Sequence, residues 1–109
     1  MMYDLIIYKA ITNPYFRIVR VIDGAIMTTL TGALSVATTW ATTYTTMAVV
    51  TVIGGMPITI PQGLDSGEYD LLICDDATPA NDDKPAFGFR IVWDGTKIMS
   101  IRNLDNVYV

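Results

Sequence analysis

Four aspartates around a short polar segment are the residues in this sequence whose types and spacing most suggest chemistry. Asp75 and Asp76 precede the sequence "ATPAN", and Asp82 and Asp83 follow it. Carboxylate oxygens are the ligands that calcium prefers, and a calcium site needs six to eight oxygens. The alternating D-x-D-x-D-G order of an EF-hand loop is missing. The four carboxylates would therefore converge on an ion only if the loop folded back on itself.

The alternative interpretation of this acidic segment is a solvated connection between two strands. Asp and Asn side chains bond to nearby backbone N–H groups in turns, and Pro79 stiffens the segment. A glycosidase pair would need two carboxylates that face a cleft, which carboxylates on one loop of a small domain seldom do. We therefore expect a solvated loop without a bound metal. Asp75, Asp76, Asp82 and Asp83 are the candidate ligands if a site exists.

The other residue types argue against most catalytic chemistry. The chain has no histidine and one cysteine, which removes His-based triads, Cys–His dyads and the usual zinc sites. Cys74 lies inside the apolar sequence "DLLICD" and is expected to be a buried, inert thiol. Gly54-Gly55 lacks the Lys and Ser/Thr of a phosphate-binding loop. We expect no catalytic residues, no cofactor and no enzymatic activity.

Composition and charge narrow the class of partner. The 109 residues are 51% hydrophobic and carry a net charge of −4, which predicts one domain with a modest core. An acidic chain without a basic patch is not expected to bind nucleic acid. The longest apolar run, residues 47–53, is far shorter than the ~20 residues of a membrane helix. The first residues also lack the basic flank and the long apolar region of a signal peptide.

Short apolar and alternating segments in the first half of the chain predict strands. They are "YDLIIY", "YFRIVRVIDG" and "AIMTTL", and Asp23-Gly24 suits a type I′ hairpin turn between the last two. The threonine-rich residues 38–43 are interpreted as an irregular crossover with Trp40 as its buried anchor. Residues 47–53 and 56–60 predict two more strands, and Pro57 places the second of them at an edge.

The second half continues the pattern. Leu64, Gly67 and Tyr69 resemble the tyrosine corner of immunoglobulin-like sandwiches, and a strand over residues 68–74 follows. "FGFRIVW" alternates and ends at Trp93, and Asp94-Gly95 forms a second hairpin turn into "KIMSI". Trp40, Tyr69 and Trp93 are the predicted structural anchors.

About eight short strands with turn signals every ~8–12 residues predict an all-β protein. We expect a single antiparallel β-sandwich of the immunoglobulin or fibronectin Greek-key type over residues 1–98. Residues 99–109 are expected to form a C-terminal tail or an extra strand that contacts a neighbouring subunit.

The order "WATTY…ITIPQGLDSGEYDLLICDDATPANDD…GFRIVWDGTKI" resembles small β-sandwich proteins encoded among the structural genes of tailed bacteriophages. The shared pattern is a Trp and Tyr a few residues apart, an apolar strand ending in Pro, a Gly-x-Tyr strand, a "P-A-x-x-D" loop and a closing "W-D-G". It covers roughly residues 16 to 98. That family usually has a charged or polar residue near the Trp–Tyr pair, where this chain has "ATT", and it lacks the segment after Ile98. The resemblance implies a virion component attached to a capsid or tail.

An apolar chain of this size also predicts burial by assembly. Its six Met and six Tyr belong to residue types that are frequent in interfaces. The two ends supply the candidate contact residues: Met1, Met2, Leu5, Ile7, Leu104, Val107, Tyr108 and Val109. The alternative is that both end segments complete their own sheet.

Two functions stay open at this point. The first is a capsid decoration or cement protein, located in the virion, that binds copies of itself and other virion proteins such as the major capsid protein. The second is a tail, baseplate or fibre module that binds a neighbouring protein, a host surface or a carbohydrate. We expect neither nucleic acid nor membrane as a partner.

Overall fold

The computed structural model describes residues 3–8, 11–28, 32–35, 44–46, 54–75 and 87–104. These residues contain nine strands and no helix, so the predicted all-β class is confirmed. In chain order the strands are β1 (Leu5–Ile7), β2 (Pro14–Arg20), β3 (Ile26–Met27), β4 (Leu34–Ser35), β5 (Thr45–Thr46), β6 (Met56–Ile58), β7 (Gly67–Asp75), β8 (Phe87–Trp93) and β9 (Ile98–Asn103). The predicted crossover over residues 38–43 and the predicted strand over 47–53 lie outside the described residues.

Two antiparallel sheets contain all nine strands. The larger has the order β4-β3-β2-β7-β8-β9, with β5 also paired to β2, and the smaller consists of β1 and β6. An immunoglobulin-like sandwich divides its strands almost evenly between two sheets. The described strands divide seven and two, so the even division of a sandwich stays a prediction. Pro57 lies on β6 opposite Ile6, in a sheet that has two strands among the described residues.

The hydrophobic core lies between the two sheets. Its buried members from the small sheet and the following loop are Ile7, Met56, Ile58, Ile60 and Leu64; those from the large sheet are Phe16, Ile18, Met27, Tyr69, Leu71, Ile73, Ile91 and Trp93. Side chains alternate between the faces of a strand, so one face of β2, β7 and β8 supplies most of the core.

The central strand β7 is buried on both faces. Tyr69, Leu71 and Ile73 face the core, and the alternate residues Leu72 and Cys74 are also buried, at 2% and 0% exposure. A strand covered on both sides has a continuous apolar run in place of strict alternation. The sequence "LLIC" has this property and correctly predicted a central strand.

The turn at Asp23-Gly24 differs from the predicted two-residue type I′ turn. Residues 21–24 form a four-residue loop, because the N–H of Arg20 donates to the carbonyl of Ala25 at 2.7 Å and the N–H of Gly24 donates to that of Arg20 at 2.8 Å. A type I′ turn needs a positive φ at both central residues. Gly24 has a φ of 74°, whereas Asp23 does not have a positive φ. The Asp23 carboxylate accepts hydrogen bonds from Arg20 and from the N–H of Ala25, which stabilises the longer loop.

The turn between β8 and β9 is a tight hairpin, as predicted. The N–H of Asp94 donates to the carbonyl of Lys97 at 3.1 Å, and Gly95 has a φ of 101°. A positive φ at the first of two central residues is typical of a type II′ turn, in which glycine is favoured. The Asp94 carboxylate accepts from the N–H groups of Thr96 and Lys97, which fixes the two residues that complete the turn.

The strand after this turn shows that the domain continues past its expected boundary at residue 98. β9 pairs with β8 from Trp93↔Ile98 to Phe89↔Asn103, and the N–H of Leu104 then donates to the carbonyl of Gly88 at 2.9 Å. The boundary drawn after residue 98 therefore falls inside a strand of the chain's own sheet. The tight turn explains this, because it directs the chain straight back along β8. Residues 105–109 lie outside the described residues.

Candidate functional site

Tyr69 and Trp93 fix the loop that leads into β7. Tyr69 is completely buried, and its hydroxyl donates a 2.7 Å hydrogen bond to the carbonyl of Asp65, which is the geometry of a tyrosine corner. The indole N–H of Trp93 donates to the neighbouring carbonyl of Leu64 at 3.1 Å. Burial raises the pKa of the Tyr69 phenol, so this hydroxyl stays a donor at neutral pH. Trp40, the third predicted anchor, lies outside the described residues.

Of the four aspartates around "ATPAN", the structure describes Asp75. It ends β7 with its side chain exposed, and its carboxylate accepts a 2.9 Å hydrogen bond from the N–H of Asn13. This bond ties the start of β2 to the end of β7, which is the role of a polar strand connection. Asp76, Asp82 and Asp83 lie outside the described residues. Among those described, no group of three or more acidic, Cys or His side chains is placed to hold a metal ion.

A buried arginine lies on the face of the large sheet opposite the core. Arg17 is 1% exposed, and its guanidinium lies 5.2 Å from the ring centroid of Tyr15 and 5.8 Å from that of Tyr44. Such stacking over aromatic faces stabilises a desolvated cation. The guanidinium also donates to the Sγ of Cys74 at 3.4 Å. Cys74 forms no disulfide and is buried, as the sequence predicted, and it packs against this arginine.

An ion pair crosses from β7 to β8 on the same face. The Nε and Nη2 atoms of Arg90 donate to the two carboxylate oxygens of Asp70 at 2.7 and 3.0 Å. The two residues lie directly opposite each other, and Arg102 lies opposite Arg90 on the next strand. This row was not predicted from the sequence. Its signal was an acidic residue within β7 and a basic residue within β8, which became informative only once the strand register was known.

An open cleft lies at one end of the large sheet, between the β2–β3 loop and the loop before β7. Its volume is about 730 Å³, and its lining consists of Arg20, Val21, Ile22, Asp23, Asp65, Ser66, Gly67 and Glu68. The Arg20 guanidinium approaches the Asp23 carboxylate to 2.6 Å and lowers the pKa of that carboxyl to about 2. Ile22 is 88% exposed at this end. The lining contains no aromatic side chain.

Three of the predicted interface residues pack within the chain itself. Ile7 and Leu104 are buried, at 5% and 3% exposure, and Leu5 packs against the core cluster. This corrects the expectation that they face a neighbour. For Leu5 and Ile7 the reason is that β1 pairs with β6. Asp4 fixes β1 there, because its carboxylate accepts a 2.7 Å hydrogen bond from the N–H of Ile60. Met1, Met2, Val107, Tyr108 and Val109 lie outside the described residues.

Besides Tyr8, Ile22 and Tyr44, three exposed apolar side chains of the described residues lie on the β8–β9 hairpin. Met99 is 58% exposed and Ile101 44% exposed on β9, and Val92 is 37% exposed on β8. β9 is the last strand in the order of this sheet within the described part of the chain. The sequence "KIMSI" already contained this signal, but the sequence analysis placed the contact surface at the chain ends.

Comparisons of the chain with protein-family models, with curated proteins and with solved structures found no match. Among the described residues, no helix is long and apolar enough to cross a membrane. The buried polar side chains named above each make a structural contact: Tyr69 and Trp93 with a loop, Arg17 with rings and a thiol, and Asp70 with Arg90.

Proposed function

We propose that this protein is a non-enzymatic structural component of a tailed-phage virion, and that it acts as a capsid decoration or cement protein. In this role many copies bind one another and the major capsid protein, and the contacts stabilise the particle. The resemblance of the Trp–Tyr, Gly-x-Tyr and "W-D-G" pattern to virion β-sandwich proteins supports the phage assignment.

The observation that carries the assembly role is that β9 is the last strand of the large sheet within the described residues. This strand has six residues, and five of them, Met99 to Asn103, are exposed. Edge strands present N–H and C=O groups that pair readily with another chain. Monomeric proteins often protect a long edge with bulges or charges. β9 carries Arg102 and an irregularity near its start, but Met99 and Ile101 are also exposed on it. An edge with apolar side chains favours a protein that functions in an assembly.

The rigidity of the large sheet also supports a structural role. Two buried anchors hold the loop before β7, and an ion pair with two hydrogen bonds links β7 to β8. Doubly hydrogen-bonded arginine–carboxylate pairs add geometric specificity to a contact. A protein that transmits load between neighbouring capsid subunits benefits from a sheet that keeps its shape.

The second candidate is a tail, baseplate or fibre module that binds through its loops. The cleft at the end of the large sheet and the exposed Ile22 favour this alternative. Small-molecule sites are typically lined by hydrophobic and aromatic side chains, and this cleft is lined by three carboxylates and no aromatic ring. The cleft therefore fits a protein neighbour better than a carbohydrate.

Mass spectrometry of purified tailed-phage particles from the source of the sequence tests the proposal. We expect the protein to remain with the particles through density-gradient purification, in many copies for each copy of the portal protein. Immunogold labelling of intact particles would then place it on heads, whereas labelling of tails would favour the second candidate. If the protein is present in the lysate and absent from purified particles, the virion assignment is overturned.

A further inference from the structure

The backbone of β9 defines which of its groups face outward from the sheet. The N–H of Leu104 donates to the carbonyl of Gly88 on the β8 side. Backbone groups of successive residues in an antiparallel strand point alternately to the two neighbouring strands. The N–H and C=O groups of Arg102 therefore also point toward β8, opposite Arg90. Those of Ile101 and Asn103 point away from β8, to the outer edge.

The side chains near this edge have a defined distribution as well. Ile101 lies opposite the buried Ile91 and is 44% exposed, so it extends the apolar row of the core to the rim of the sheet. Arg102 lies opposite Arg90, and Ser100 lies opposite Val92. The ladder is irregular between Val92 and Trp93, so the regular part of β9 begins at Ser100.

We propose that β9 binds β9 of a second copy of this chain, antiparallel, about a two-fold axis at Ile101. This inference rests on the proposed assembly function, and it specifies one of its contacts. Outward-facing residues must oppose outward-facing residues, so Ile101 of one copy lies opposite either Ile101 or Asn103 of the other. The axis at Ile101 forms a hydrogen-bonded pair of isoleucines, and the large sheet continues across the interface.

Charge favours the axis at Ile101 over an axis at Arg102. An axis at Arg102 would place the two Arg102 side chains directly opposite each other, and like charges at that distance destabilise a sheet. The axis at Ile101 places each Arg102 opposite Ser100 of the second copy. Each exposed Ile101 is then covered by its equivalent. The interface is isologous, as expected for a symmetric dimer.

Site-specific crosslinking tests the register. In the proposed pairing, residues 100 and 102 of opposite copies form a non-hydrogen-bonded pair with Cα atoms about 4.5 Å apart, within disulfide range. An equal mixture of Ser100→Cys and Arg102→Cys proteins should therefore give a disulfide-linked heterodimer under mild oxidation. Either variant alone should give little, because identical positions are diagonal neighbours about 7–8 Å apart. The wild type, oxidised in the same way, shows whether Cys74 forms a disulfide-linked dimer by itself.

Light scattering supplies the second measurement. Ile101→Lys should weaken self-association about tenfold or more and leave the circular dichroism spectrum of the folded protein unchanged, because the side chain lies at the rim. Tyr8→Lys, at a 68% exposed position that follows β1, should change neither. The inference is overturned if the wild type is a monomer at concentrations of tens of micromolar. It also fails, without affecting the virion proposal, if the wild type self-associates while the mixture does not crosslink and Ile101→Lys has no effect.

Discussion

The hydroxyl of Tyr69 donates a 2.7 Å hydrogen bond to the main-chain carbonyl of Asp65, four residues earlier in the chain. The preceding carbonyl, that of Leu64, accepts from the indole of Trp93. Two neighbouring carbonyls are thus bound by side chains from two different strands. The loop that forms one wall of the cleft is consequently attached to the core of the large sheet.

Tyr69→Phe should destabilise the protein by about 1 kcal/mol or slightly more, because the carbonyl of Asp65 loses its donor while the ring keeps its packing. Urea unfolding should show a lower midpoint and an unchanged slope. Tyr8→Phe is the matched control, because Tyr8 is 68% exposed. Equal stability of the two variants would show that the corner does not contribute.

The Asp70–Arg90 pair should contribute measurably to stability. Asp70 is 6% exposed, so Asp70→Asn leaves a guanidinium with a weaker partner, and we expect a loss of roughly 1.5–3 kcal/mol. A double-mutant cycle with Arg90→Met should give a favourable coupling energy of about 1 kcal/mol or more. Additive effects of the two substitutions would contradict the interaction.

Stability should fall in acid partly through Asp23. The folded-state pKa of this carboxyl is about 2, below its ordinary value of 3.8, chiefly because Arg20 donates to it. A depressed pKa stabilises the folded state above the unfolded-state value, and this contribution is lost as the pH falls from about 4 to about 2. The melting temperature of Asp23→Asn should therefore be lower than that of the wild type at pH 7 and decline less steeply between pH 4 and 2.

Removing Arg20, which lowers the pKa of Asp23, should change the dependence of stability on acid pH in the same way. Arg20→Gln leaves Asp23 without its guanidinium partner and should also flatten the decline of the melting temperature between pH 4 and 2. Curves for both variants that run parallel to the wild-type curve would exclude this ion pair as a source of the pH dependence.

Gly32 should tolerate no side chain. Its φ is 98°, and a Cβ at this position would collide with the backbone N of Leu64. Gly32→Ala should cost about 3 kcal/mol or more, from backbone strain and overpacking together. Gly24→Ala is the matched control: its φ is 74°, but a Cβ there meets nothing within 4 Å. It should cost about 1–2 kcal/mol, so similar thermal melts of the two variants would disprove the steric clash.

Calcium should not change the melting temperature. We expect identical thermal melts with millimolar calcium and with chelator, because an ion that binds only the folded state must stabilise it. Asp75→Ala should lower the melting temperature to the same extent in both conditions, since its carboxylate binds the N–H of Asn13. A rise in melting temperature with calcium that Asp75→Ala abolishes would establish a metal site.

Local patterns predicted the individual elements well. Alternation over "FGFRIVW" gave β8, the run "LLIC" gave a strand buried on both faces, and Asp94-Gly95 gave the final hairpin. The tyrosine corner was also visible, because Tyr69 and its loop are close in sequence. These features depend on residues that are close together in the chain. Hydrophobic periodicity and the residue types of turns therefore predict them directly.

The sequence by itself therefore determined the all-β class, the course of the longest strands and the residues that anchor one loop. Tertiary structure alone decided the order of the strands, the burial of Ile7 and Leu104, the pairing of Asp70 with Arg90 and the exposure of Ile101. The physical reason is that each of these depends on which strand lies beside which. A period-2 pattern specifies the face on which a side chain lies, but strand pairing joins residues that are distant in the chain.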